Sequence, residues 1–170
     1  MVSEPGLRKF SDQANSVSAR VERFSGFEEA KKFLANYFQE KGIKKVIADA
    51  ILESRLKGLE QISILNIQNL AEAKDAQAGI VMADYGIAET GTLVQFYESA
   101  REKLVEILPE ICISILPSAR IVPDAESIAD PISNHLKKMS TTGPQVAFIS
   151  GPSRTADIEF KQEIGVHGPR

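Results

Sequence analysis

A single cysteine, Cys112, stands in 170 residues. It rules out an intrachain disulfide. It also rules out an iron–sulfur cluster held by this chain alone, since such clusters take about four thiolates. Set in the apolar run EICISILP, Cys112 reads as a small core residue. Histidine is equally scarce: His135 and His167 sit far apart, at no metal-ligand spacing, so no zinc site is expected from these residues. No apolar run approaches the roughly 20 residues that span a bilayer. The N-terminus, MVSEPGLRKFSDQ, lacks the apolar core of a signal peptide, and the expected setting is cytoplasmic. Positive charge is short too. Lys and Arg number 20 against 23 Asp and Glu, a net charge of −3, whereas a dedicated nucleic-acid binder carries a basic face. The chain has no P-loop, no complete GxGxxG and no nucleophile elbow.

What is present is a globular composition, 43% hydrophobic and 25% charged, in a length that makes one domain over residues 1–170. Leu7, Phe10 and Ala14 share one helical face, and Val17, Ala19 and Val21 then alternate like a strand. SGFEEAKKFLANYFQEKG reads as a helix, with Ser25 and Glu28 at capping-box spacing and Gly42 as its stop. IKKVIAD and ISILNI read as strands and LAEAKDA as a short helix. AGIVMADYGIAETGTLVQF reads as strand, turn, strand about ETG. ESAREKLVEIL is expected to be a helix with Ala100, Leu104, Ile107 and Leu108 inward. EICISILP and QVAFIS read as buried strands, and ARIVP as a shorter one. Between them, DAESIADPISNHLKKM reads as a helix with Asp124 as cap and Pro131 in its first turn. Its expected inner face is Ile128, Ile132, Leu136 and Met139, which puts His135 on the surface. Strands alternate with helices throughout, so the predicted fold is α/β with a mainly parallel sheet flanked by helices.

Three polar turns carry the candidate chemistry. SGPSRTADIE follows a buried strand, the place where ligands bind in open α/β sheets. Backbone amides near Gly151, Ser153 and Thr155 can face an anion, and Arg154 can grip a carboxylate or phosphate with two hydrogen bonds. Ser150 opens this turn, and Asp157 and Glu159 can order the arginine. The alternative is a surface turn into a helix, with Ser153 or Thr155 as its cap. In DYGIAETGTL, Gly91 suits a left-handed turn position, Thr90 and Thr92 supply hydroxyls, and Glu89 ends an apolar strand. A carboxylate there can serve as base or nucleophile, or it can be a solvated acid on a hairpin. In GVHGP, His167 lies between two glycines on an accessible loop, free to bind an anion or to remain a bare loop histidine.

Taken in order, GIAETGTL, SGPSRTADIE and GVHGP resemble the signature of the LUD domain, the family of lactate-utilization protein C and YkgG. The resemblance covers roughly residues 78–169, and the N-terminal half agrees in pattern. It implies a fold similar to the NagB/RpiA/CoA-transferase group. It also implies a part in L-lactate oxidation to pyruvate beside iron–sulfur partner proteins. With one cysteine here, the clusters are expected on those partners and no cofactor on this chain. The implied role is that of an accessory subunit with a small-anion site, for a carboxylate or phosphate, lined by residues of the three turns. Two other readings stay open: a CoA-transferase-like enzyme with Glu89 as nucleophile, or a non-catalytic interaction module. Chains of the family generally continue after HGP with another apolar strand. This sequence ends at Arg170, so either the chain is naturally short or that strand is missing, and in the second case a sheet edge is expected to be open to pairing with another chain, a second copy included.

Overall fold

The computed structural model describes residues 4–138, 143–156, 162–164 and 169. In chain order the elements are α1 (Glu4–Ser16), α2 (Phe27–Lys41), β1 (Lys45–Ala48), α3 (Ala50–Leu56), β2 (Ser63–Leu65) and α4 (Leu70–Ala73). Then follow β3 (Ala78–Met82), β4 (Tyr85–Ile87), β5 (Thr92–Tyr97), α5 (Leu104–Ile107), β6 (Ile111–Ile115) and β7 (Ile121–Val122). Last come α6 (Ala129–Leu136), β8 (Gln145–Ile149), β9 (Arg154–Ala156) and β10 (Gln162–Ile164).

Among the described residues the strands form two four-stranded sheets and a hairpin. The first sheet has the order β2-β1-β3-β6 and is parallel throughout, as predicted. Its central strands are apolar on both faces because both faces are covered. Successive side chains alternate across the pleat. Val46 and Ile80 therefore join Leu34, Phe38, Leu52 and Leu56 of α2 and α3. Ile47 and Val81 join Ala73 and Val105 on the opposite face. The second sheet, β7-β4-β5-β8, is mixed: β4 is parallel to β7 and antiparallel to β5, and β5 is antiparallel to β8. β9 and β10 pair as a separate antiparallel hairpin.

The stretch AGIVMADYGI, expected as one strand, is two. Ala83 N still donates to Ile115 O of the first sheet at 2.9 Å, whereas Asp84 N donates to Val94 O of the second at 3.1 Å. The Asp84 carboxylate also accepts from Phe96 N at 2.8 Å. The ladder partner changes within one residue, and the chain passes from sheet to sheet there.

Other expectations shift for local reasons. Residues 17–21 form no strand. The first helix closes with Ala19 N on Ala14 O and Ser18 in the left-handed region at φ 69°. Ala19 and Val21 then pack with Phe10, Ala14 and Ile121 instead of joining a ladder. At the start of α2 the reciprocal acid is Glu29, not Glu28: its carboxylate accepts from Ser25 N and Ser25 Oγ at 2.8 and 2.7 Å, and Gly26 is the N-cap. Ile107 and Leu108 face outward and Val105 and Glu106 inward, because α5 begins only at Leu104. The Asp124 cap is present, accepting from Ser127 N at 2.9 Å. Beyond it α6 buries His135 and exposes Leu136 (49%), while Met139 lies outside the described residues. His135 Nε2 lies 3.0 Å from Tyr97 O and 3.2 Å from Gln145 O, so the imidazole joins the adjacent ends of β5 and β8. Its ring stacks on Phe96 at 4.7 Å. QVAFIS is not a buried central strand: β8 is half-buried, with Phe148 54% exposed, and pairs only with β5 among the described residues.

Candidate functional site

The turn between β4 and β5 is set by Gly91. It has φ +67°, and its amide donates to Ile87 O at 2.9 Å. Beyond β4, Ala88 N and Glu89 N donate to Val122 O and Pro123 O at 2.8 and 3.1 Å, which carries the β4–β7 pairing into the turn. On the other side, Leu93 pairs with Ile149, so Ser150 leaves β8 beside Thr92. Glu89, Thr90, Gly91, Thr92, Ser150 and Gly151 thus share one end of the second sheet. Their hydroxyls form a chain. Thr90 Oγ1 donates to Thr92 Oγ1 at 2.7 Å, and Thr92 Oγ1 and Ser150 Oγ lie 2.8 Å apart. Thr92 is buried (7% exposed), whereas Glu89, Thr90 and Ser150 are exposed.

The end of α1 lies directly behind this chain. A Cβ on Gly91 would stand 2.2 Å from Ala14 N, and one on Gly151 (φ +74°) 2.2 Å from Val17 O. Any side chain at either glycine would meet backbone.

The rest of SGPSRTADIE departs from the predicted geometry. Residues after Pro152 enter β9, not a helix, so no helix N-terminus faces an anion here. Ser153 N donates to Pro169 O at 3.0 Å, which occupies that amide and ties the turn to the last residue of GVHGP. Arg154 and Thr155 lie on β9, in register with Ile164 and Glu163 of β10. Asp157, Glu159 and His167 lie outside the described residues. Two of the three motifs are therefore adjacent, and the third touches them through Pro169.

A second polar region, which the motifs did not point to, joins the two sheets from within. Asp49, just past β1, caps α3 by accepting from Leu52 N at 2.8 Å, and it also accepts from Met82 N. Gln95 Nε2 donates to Met82 O at 3.1 Å, and Arg120 Nη1 to Ala83 O at 3.0 Å. The Tyr97 hydroxyl donates to Glu106 Oε2. Glu106 is 4% exposed, and its Oε1 has no hydrogen-bond partner among the described residues. Burial raises the Glu106 carboxyl above its ordinary range, against the lowering effect of the Tyr97 bond, and burial likewise raises Asp84. The Tyr97 hydroxyl is raised by burial and by the acid it meets. Of these residues, only Asp49 and Asp84 carried a sequence signal, as acids directly beyond apolar strands.

Cys112 packs beside the cluster of Ile47, Ala73, Val81 and Val105, and burial pushes its thiol up to about 12. One thiol is too few for an iron–sulfur cluster, which takes about four, so the residues present do not fit a cluster. Among the described residues no group of three or more His, Cys, Asp or Glu has the geometry to hold a metal ion. No helix among them is long and apolar enough to cross a membrane.

The two-sheet architecture matches the crystal structure of a DUF162 family protein from Deinococcus radiodurans. The TM-score is 0.64 over 100% of this chain and 95% of that one, at 18% identity, which speaks to fold alone. In sequence, the chain is 31% identical over 159 residues to lactate utilization protein C of Macrococcus caseolyticus, covering 94% of this chain and 65% of that protein. It is 39% identical over 102 residues to lactate utilization protein C 1 of Bacillus mycoides, covering 60% of this chain and 44% of that one. The protein YkgG of Escherichia coli is 35% identical over 102 residues, with the same two coverages of 60% and 44%. The chain spans less than two thirds of the length of each of these three relatives. The LUD domain model matches residues 7–170, which takes in both sheets and all three polar turns, and the chain therefore belongs to the LUD domain family.

Proposed function

We propose that this chain is a lactate-utilization subunit, working in the cytoplasm, whose polar turns at the end of the second sheet bind a small anion, a carboxylate or phosphate. The pathway assignment leans on the relatives named lactate utilization protein C. Electron transfer in such a system falls to iron–sulfur partner proteins, because the one cysteine here cannot hold a cluster by itself. The anion assignment leans on a single observation, the hydroxyl chain from Thr90 through Thr92 to Ser150.

Thr92 Oγ1 accepts from Thr90 and shares a hydrogen bond with Ser150 Oγ in which either hydroxyl can donate. Ser150 is exposed, so its hydroxyl is accessible to an incoming acceptor oxygen. Arg154, a few residues on, supplies the compensating positive charge and a bidentate grip. In this reading the residues hold the anion and perform no covalent step. Calorimetry with lactate, pyruvate and phosphate on the wild type and Arg154→Ala tests it. The expected result is binding of at least one anion by the wild type and a loss of about tenfold in affinity on removing the charge-assisted pair. Identical heats for the two proteins would overturn the anion site and leave an interaction module as the better account.

A further inference from the structure

The N-terminal helix has no place in the three motifs, yet its last turn fills the space at two of their glycines. Gly91 and Gly151 are 60 residues apart in sequence (151 − 91) and lie on different turns. The Cβ position of the first is occupied by Ala14 N (2.2 Å), Ala14 Cα (2.6 Å) and Gln13 C (2.6 Å). That of the second is occupied by Val17 O (2.2 Å) and lies 3.2 Å from Val17 Cγ2. A third glycine, Gly86 on β4, meets side chains instead of backbone, Leu116 Cδ2 at 2.5 Å and Phe10 Cε2 at 2.9 Å. The backbone approaches at Gly91 and Gly151 select against side chains there. Gly143 offers an internal comparison: its φ is also +74°, but among the described residues nothing lies within 4 Å of its Cβ position.

We infer that residues 13–17 are a positioning strap: one rigid piece of backbone seated in both glycine turns, setting the distance between the Thr90–Thr92 hydroxyls and Ser150. The strap is anchored through Ala14 and the preceding Phe10, both buried in one cluster with Ala88 and Ile121. Its last turn is closed by Val17 N and Ala19 N on Ala14 O. Movement of the strap therefore has to shift both turns together. This makes α1 part of the anion site without touching the anion, and that functional consequence rests on the reading proposed above. The mechanical coupling does not.

Hydrogen exchange on the full chain separates the two. Gly151→Ala is expected to raise exchange by about tenfold or more in residues 13–19 and also in the distant turn at residues 88–92, in keeping with local opening energies well below the global one. Gly91→Ala is expected to do the reverse, loosening the strap and residues 150–153. Gly143→Ala carries the same backbone strain without the contact and is expected to leave both turns as they were. Asn15→Gly, an exposed change in the last turn of α1, is a milder variant in case either alanine prevents folding, and it is expected to loosen both turns at once. Thr92→Val removes the direct hydroxyl link. Coupling that persists in the Thr92→Val/Gly151→Ala pair runs through the strap, and coupling that vanishes there overturns the inference. So would changes confined to the mutated turn, or a Gly151→Ala protein indistinguishable from Gly143→Ala. Pyruvate calorimetry on Asn15→Gly adds the functional arm, with affinity expected to fall about threefold or more, on the order of the cost of a helix glycine. Wild-type affinity in Asn15→Gly overturns the positioning role. No heat with the wild type for lactate, pyruvate or phosphate overturns the anion site, while the exchange data still decide the strap.

Discussion

The end of the second sheet and the seam between the two sheets are both polar, but they are built in opposite ways. At the sheet end, hydroxyls and left-handed glycines come from two short stretches, and Ser150 and Thr90 remain exposed. In the seam, Asp49, Asp84, Gln95, Tyr97 and Glu106 come singly from otherwise apolar surroundings and are turned inward. Buried polar groups of this kind specify which elements meet, and exposed ones are available to a ligand. The difference teaches that polarity alone does not mark a site in this fold. In the proposed reading, what marks it is polarity left facing outward on a rigid support.

The sharpest way to test that division is to overfill each region by one methyl group. A Cβ on Gly79 would stand 1.7 Å from Val105 O, where α5 presses on β3 beside the seam. Gly79→Ala is expected to cost about 3 kcal/mol or more, at the upper end for overpacked sites. Gly151→Ala adds backbone strain to a clash at the more open sheet end and is expected to cost about 2–3 kcal/mol. Gly143→Ala pays only the left-handed strain, about 1 kcal/mol. Urea midpoints of the three variants give the order directly. Equal losses at Gly151 and Gly143 would remove the strap from the account.

A gentler change probes the chemistry of the seam. Glu106 has a raised carboxyl pKa in the folded chain, so between its ordinary value of 4.5 and its folded value the native state holds more protons than the unfolded one. Stability is then full below the ordinary value and declines as pH rises through the folded value. Asp84 contributes in the same direction. Glu106→Gln is expected to keep the Tyr97 hydrogen bond and to flatten, not abolish, the fall in the urea midpoint from about pH 4 to pH 8. An unchanged slope would mean that Glu106 is not held protonated.

The same contrast explains what the sequence disclosed. The parallel sheet was legible because strands buried on both faces are continuous apolar runs, as in AGIVM of β3. The polar turns were legible because left-handed glycines and clustered hydroxyls are local signals, and Gly91 takes the predicted positive φ. The seam and the His135 contact were hidden because their partners are distant in sequence: Gln95 reaches Met82 across the seam, and His135 reaches Tyr97 and Gln145 within the second sheet. His135 was misplaced for that reason, since beside two lysines it has the local signature of a surface residue. The division of AGIVMADYGI into β3 and β4 depends on which strand Asp84 meets, a tertiary fact with no local trace. The strap was equally invisible, because a glycine does not reveal what fills the space beside it.

The central claim is that the hydroxyl end binds and the seam only holds. It is tested most directly by titrating lactate, pyruvate and phosphate, and following the one that binds, in three proteins: wild type, Ser150→Ala and Glu106→Gln. The account predicts binding by the wild type, a loss of affinity of about fivefold or more in Ser150→Ala from one missing hydrogen bond, and wild-type affinity in Glu106→Gln. Full binding by Ser150→Ala with loss in Glu106→Gln would contradict it and move the site to the seam.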